Sequence, residues 1–232
     1  MIDFYALTSP NVRKIFIMLE EIELPYKIIP VDVWKGDNYL PEFRKINPNG
    51  KIPVIVDHEG PGGRPFTVIE SGAILMYLAD KTGRFLPKET AARYETIQWL
   101  MIQLTGVGPN FGQLTHFKLF APPGNDYSLS RFQTEVRRLY DVLEARLAAA
   151  AYLGGADYSI ADMATFPWAA NHQRQGVGFE DKPNLARWHD AIAARAAVQR
   201  AIRKVEAMPT SREHAKPDDV DRFFGRGRYA RP

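Results

Sequence analysis

Strand-like segments are confined to the first 69 residues of this 232-residue chain, where they alternate with helical ones. From Glu89 onward only helical periodicity remains. That division constrains the fold more than any other feature: a mixed α/β part comes first and an all-helical part follows. Ile2–Ala6 reads as a short strand. Ser9-Pro10 marks a helix start, with Ser at the N-cap and Pro at the first helical position. Val12, Ile15, Phe16, Leu19 and Ile22 then recur at helical spacing. Residues 26–31 read as a second strand, and a strand, helix and strand joined in this way favour a right-handed parallel unit.

Helix is expected around Pro41–Ile46. Val54-Ile55-Val56 and Phe66–Ile69 are two further strands, joined by the turn residues 58–63 into a hairpin. Residues 71–81 are helical, with Gly83 as the C-cap. The order β-α-β-α-β-β-α is that of a thioredoxin-like domain. Residues 91–104 are helical, and Gly106, Gly108 and Pro109 should kink or break that helix. Phe132, Val136, Leu139, Tyr140, Leu143 and Leu147 form one amphipathic stripe. Ser159-Ile160-Ala161-Asp162 reads as an N-cap with its acidic partner three residues on, flanked by Tyr158 and Met163 as a hydrophobic staple. The expected organisation is a thioredoxin-like domain over 1–84, a linker at 85–88, an all-helical domain over 89–205 and an extended tail over 206–232.

There is no cysteine, which excludes disulfides, thiolate metal sites and a cysteine nucleophile. Any thiol chemistry must therefore use a thiol carried by a ligand. The five histidines do not pair at metal-ligand spacing, so no metal is expected. The net charge of +3, spread along the sequence, is too mild to point to nucleic acid. No apolar run approaches the roughly 18 residues of a membrane span. The start of the chain lacks a basic region followed by an apolar stretch, so no signal peptide and a cytoplasmic location are expected.

Three short motifs carry chemistry. In Asn49-Gly50-Lys51-Ile52-Pro53-Val54, a proline opens a strand, where it marks an edge, a turn or a cis bond. A cis bond there would present the Ile52 main chain to an extended, peptide-like ligand. Glu70-Ser71 follows a strand and opens a helix, whose free N–H groups favour a carboxylate. Thr8-Ser9-Pro10-Asn11 opens the first helix. Ser9 caps it, and a thiol held near Ser9 and Asn11 would feel the positive end of the helix and two donors, which favours thiolate. The Ile52-Pro53 and Glu70-Ser71 elements together suggest a site for a short acidic peptide.

These motifs, with Asn47-Pro48, Trp99, Gly106-Val107-Gly108-Pro109, Arg131-Phe132 and Tyr158-Ser159-Ile160-Ala161-Asp162, resemble the bacterial Nu class of glutathione transferases over about residues 1–205. The resemblance implies a homodimeric enzyme that uses glutathione, reduced or oxidised, as co-substrate. It acts on small disulfides or electrophiles, with Ser9 and Asn11 stabilising the thiolate. Ser9 stands where the class has a threonine. The resemblance further implies that Ile52, before Pro53, pairs with the cysteinyl part of glutathione. Glu70 and Ser71 bind its γ-glutamyl end, and Lys51 faces its glycyl carboxylate. Asn38 stands where the class has a ligand-reaching glutamine, and Arg131 resembles an arginine used on glutathione. Tyr5, inside the first strand, reads as core or wall. Trp99, Gln103, His116 and Phe117 should lie on a helix facing the ligand.

Two rivals stay open on the sequence alone. One is ordinary conjugation of glutathione to electrophiles, with weak peroxidase activity. The other is a non-catalytic interaction module built on the same fold. The tail from Glu206 carries six basic residues against five acidic ones, so it is no basic arm. Its aromatic residues Phe223, Phe224 and Tyr229 suggest docking onto the protein.

Overall fold

A computed structural model describes residues 1–227; Tyr229 lies outside them. The chain forms two compact units, Met1–Tyr77 with the chain from Arg200 on, and Leu78–Gln199.

The first unit is built on a four-stranded sheet in the order β2-β1-β3-β4. Strand β1 (Ile2–Ala6) alternates buried and half-buried residues, as a strand with one covered face must. Helix α1 (Pro10–Ile22) carries it to β2 (Tyr26–Pro30), which pairs with β1 in parallel, Ile2 opposite Tyr26. Helix α1 ends at Glu23, whose left-handed backbone lets its N–H reach the Leu19 carbonyl. After α2 (Pro41–Ile46), β3 (Val54–Asp57) lies antiparallel to β1, and β4 (Phe66–Ile69) antiparallel to β3. Helix α3 (Ser71–Thr82) follows directly, and Gly83 after it is left-handed, as a C-cap glycine is.

Helix α1 is buried almost all round, with Val12 and every residue from Lys14 to Ile22 inside. Its last turns meet Arg200 and Lys204. Glu20, itself buried, accepts from Arg200 Nε at 2.8 Å and from Tyr26 at 2.6 Å, and it also binds Lys204. These bonds hold Glu20 below the usual carboxylate range against the opposing effect of burial, the largest single influence.

In the second unit, α4 (Thr90–Ile102) runs through a π-helical turn, Gln103–Val107, into α5 (Gly108–Leu119). The expected kink thus takes the form of a widened turn, not a break. Gly108 permits it, since a Cβ there would stand 3.0 Å from the Gln103 side chain. Helices α6 (Asp126–Ala149), α7 (Ile160–Ala169), α8 (His172–Gln175) and α9 (Pro183–Ala193) follow; α10 (Ala196–Glu206) begins in this unit and ends in the first, to which α11 (Pro217–Phe224) in the tail belongs. The α6 stripe is buried at Val136, Leu139, Tyr140, Leu143 and Leu147. Ser159 and Asp162 close the capping box of α7, where Asp162 also accepts from Leu153 N–H and Trp188 Nε1–H, both at 2.8 Å. Trp188 is core, whereas Trp168 is only half-buried. No described helix is long and apolar enough to cross a membrane.

Candidate functional site

A cavity of about 170 Å3 in the first unit is lined by Asn11, Asn47, Asn49, Lys51, Ile52, Pro53, Glu70 and Ser71. It gathers six of the nine residues singled out from sequence and adds Asn47 and Asn49. Three backbone devices build it. The first is the loop after α2. Asn47 Oδ1 accepts from Asn49 N–H at 3.0 Å and Asn47 Nδ2 donates to the Lys51 carbonyl at 2.7 Å, so one side chain folds the turn around itself. Gly50 is left-handed, and a Cβ there would meet Arg44 at 3.0 Å and the Asn38 carbonyl at 3.1 Å. Only glycine suits the position. The second device is the Ile52–Pro53 bond, which is cis. Ile52 lines the cavity and packs its side chain beside the Val31–Phe43–Val54 cluster.

The third device is the junction of β4 and α3. Glu70 adopts φ 68°, a left-handed conformation that a side chain disfavours. Its carbonyl accepts from Ile74 N–H at 2.9 Å, so Glu70, not Ser71, takes the cap position and Ser71 is the first helical residue. Asn49 Nδ2 donates to Glu70 Oε1 at 3.2 Å, tying two walls of the cavity together. Strained residues of this kind gather at ligand sites.

Ser9 stands at the mouth of α1 but outside the cavity lining. Its Oγ accepts from Val12 N–H at 3.1 Å, which leaves the hydroxyl proton for another acceptor. Asn11, two residues on, reaches the cavity. Asn38 does not: its side chain is buried and its Nδ2 donates to the Gly50 carbonyl at 2.9 Å, so it braces the loop from behind. Its Oδ1 finds no hydrogen-bond partner among the described residues. Arg131 belongs to the second unit, where it lines another cavity with Asn110, Tyr127 and Phe132. In that unit Phe132 stacks on Phe117 at 5.4 Å. Tyr5 packs beside Phe43, and burial, with Asp3, pushes its phenol up.

Sequence reasoning missed two further features. Lys14 is buried on α1, and its Nζ donates to Ser71 Oγ at 3.2 Å. The other is the seat of the tail. Phe223 packs 4.8 Å from Trp34, the Arg222 guanidinium lies 3.9 Å over Tyr39, and Ser211 Oγ donates to Asp32 at 2.6 Å. Lys51, a cavity residue, has its Nζ 5.9 Å from the Phe223 ring. The docking expected of Phe223 and Phe224 thus has a partner in Trp34.

Residues 8–81 match the glutathione S-transferase N-terminal domain and residues 107–196 the C-terminal domain. The chain belongs to the glutathione S-transferase family. It is 47% identical over 207 residues to the disulfide-bond oxidoreductase YfcG of Escherichia coli, covering 89% of this chain and 96% of that one. A glutathione transferase family member from Pseudomonas fluorescens, crystallised with two glutathione bound, is 44% identical with a TM-score of 0.82. The alignment covers 87% of this chain and 92% of that chain. A glutathione transferase from Pseudomonas putida, with one glutathione disulfide per subunit, is 41% identical with a TM-score of 0.83. There the coverage is 87% and 90%. The thioredoxin-like and helical parts expected from sequence are those of this family. Among the described residues no group of His, Cys, Asp and Glu could hold a metal ion.

Proposed function

We propose that this chain is a glutathione-dependent disulfide-bond reductase, working as a cytoplasmic homodimer on small disulfides. The observation that carries the reading is the cavity itself. It joins Asn11 at a helix start, the Ile52–Pro53 bend and the Glu70-Ser71 helix start in a chain with no cysteine. In this reading glutathione lies extended across the cavity. Its γ-glutamyl carboxylate meets Ser71 and the α3 N–H groups, and its ammonium meets Glu70. The cysteinyl part runs along Ile52, and Lys51 faces the glycyl carboxylate. The thiol comes to Ser9 and Asn11, where two donors and the positive end of α1 favour thiolate.

With no protein thiol, both electrons come from glutathione. A glutathione thiolate attacks one sulfur of the substrate disulfide. The other sulfur leaves as a thiolate, and a mixed disulfide forms. A second glutathione thiolate attacks the glutathione sulfur of that mixed disulfide and releases the remaining substrate thiolate. Two glutathiones are oxidised to one disulfide, and one substrate disulfide is reduced to two thiols. The relatives crystallised with two glutathiones, or with glutathione disulfide, support this sequence.

The test is a paired assay of purified protein with glutathione. One arm offers a small disulfide and the other a chloronitroaromatic electrophile, each repeated with Asn11→Ala. Disulfide turnover above conjugation, lost in the variant, is expected. Conjugation as the stronger activity would make the chain a conventional transferase, and silence in both arms would make it a binding module.

A further inference from the structure

Lys14 is an anomaly within α1. It is 1% exposed, in a helix whose residues from Lys14 to Ile22 are all buried. A buried ammonium gives up its hydration and needs compensation from its surroundings. Lys14 finds part of it at the wall of the cavity. Its Nζ bonds Ser71 Oγ, and the Glu70 carboxylate acts on it from the β4–α3 junction. Asn11 stands one helical turn before Lys14, which puts the two on the same face of α1. Asn11, Glu70 and Ser71 all line the cavity, and Lys14 lies behind them. The groups shown to act on the amine include one anion, Glu70, and the neutral hydroxyl of Ser71 on α3.

Hydrogen-bond direction gives this arrangement a consequence. An ammonium only donates. Bonded to it, Ser71 Oγ must accept, which leaves the hydroxyl proton for another acceptor. A neutral amine could take that proton instead, and Ser71 would then present lone pairs to a ligand. The N–H groups and positive dipole end of α3 converge on the same spot. We propose that Lys14 is a positioning residue for the ligand, whose buried ammonium holds Ser71 as a donor and makes this end of the cavity select a carboxylate. The inference rests on the glutathione reading, in which the γ-glutamyl carboxylate is the group selected. Burial lowers Lys14 to about 7, with Glu70 opposing the shift. The donor state therefore holds below pH 7 and fades above it, and a bound carboxylate draws the amine back toward its charged form.

Calorimetric titration tests this with S-methylglutathione, which has no thiol to titrate, and with its analogue bearing hydrogen in place of the γ-glutamyl carboxylate. The wild type is expected to prefer the carboxylate ligand by about tenfold or more at pH 6 and by clearly less at pH 8.5. Lys14→Met should lose most of the preference and all of its pH dependence, while its affinity for the analogue changes by less than about twofold. An unchanged preference in Lys14→Met overturns the inference. The wild-type pH series stands without any variant, and a preference that does not fall with pH also overturns it. A preference that survives in Lys14→Met refutes the role of Lys14 alone, whereas a wild type that binds both ligands equally also removes the γ-glutamyl carboxylate from Ser71 and α3. One that binds neither refutes the glutathione reading as well.

Discussion

Replacing Asp162 by alanine should unfold this protein more readily than any cap substitution would. Asp162 is fully buried. Its Oδ1 accepts from Leu153 N–H and Trp188 Nε1–H, and its Oδ2 from Ser159 N–H at 2.9 Å with Ser159 Oγ at 3.0 Å. Burial pushes the carboxyl above its usual range, and these bonds offset only part of that rise. Alanine strands three N–H donors in the interior. Each unsatisfied donor costs about 1–3 kcal/mol, so three of them cost at least about 3 kcal/mol. A loss of about 4 kcal/mol follows, which lowers Tm by roughly 8–16 °C for a chain of this length. Asp162→Asn keeps the Leu153 and Trp188 bonds but turns an amide toward Ser159 N–H, so it should cost about 1–2 kcal/mol. Urea unfolding followed by far-UV circular dichroism measures both. A loss below about 1 kcal/mol for alanine, or equal losses for alanine and asparagine, would show that these bonds are replaced by water and refute the reasoning.

Asn11→Ala should shift the acidic limb of the pH–rate profile upward by about one unit, since one lost donor to a thiolate is worth about 1.4 kcal/mol; a profile left in place would remove Asn11 from the site. Ser9→Ala should cost about 1 kcal/mol of stability as a lost cap and also slow turnover, whereas Ser9→Thr should retain both; equal activity in the two variants would leave Ser9 as a cap alone. Truncation after Met208 removes Phe223 from Trp34 and from Lys51, and should raise KM for glutathione severalfold with little change in kcat; an unchanged KM would leave the tail without a part in binding. Because Lys14 lies near 7 in the folded chain and near 10.5 when unfolded, the unfolded chain holds more protons between those values, and stability should rise with pH across that window; Lys14→Met should abolish the rise in urea midpoint, and a rise that persists would refute the shift.

The parts of this fold that were legible in the sequence are those with local causes. A serine before a proline opens α1, an asparagine-proline-asparagine-glycine run closes a loop, and a serine three residues before an aspartate opens α7. Each is a short-range hydrogen-bond pattern. Lys14 was passed over because a single lysine in a helix reads as a solvated face. The signal against that was present, since Ile15, Phe16, Ile17, Met18 and Leu19 are consecutive, and a helix apolar on every side has no solvated face. A charge inside such a helix must have a partner. Asn38 is a different case. Resemblance put it on the ligand, but its shorter side chain is held by the Gly50 carbonyl. The meeting of Trp34 with Phe223 has no local signature, because the two residues lie far apart in the chain.

If glutathione lies across the cavity as proposed, Ser9 and Ser71 meet opposite ends of it, and the two serines are set by different means. Ser9 Oγ is held as an acceptor by a backbone amide, the Val12 N–H, which does not titrate. In that reading its hydroxyl proton stays available to the thiol end across the pH range. Ser71 Oγ is held by a lysine that does titrate near neutrality. The thiol end of the cavity should therefore follow only the ionisation of the ligand's own sulfur, while the carboxylate end follows Lys14. Rising pH then favours thiolate formation and weakens the grip on the γ-glutamyl carboxylate in the same range. Turnover at saturating glutathione should climb with pH while affinity falls. The two trends separate cleanly in kcat and KM, because one belongs to the start of α1 and the other to the start of α3.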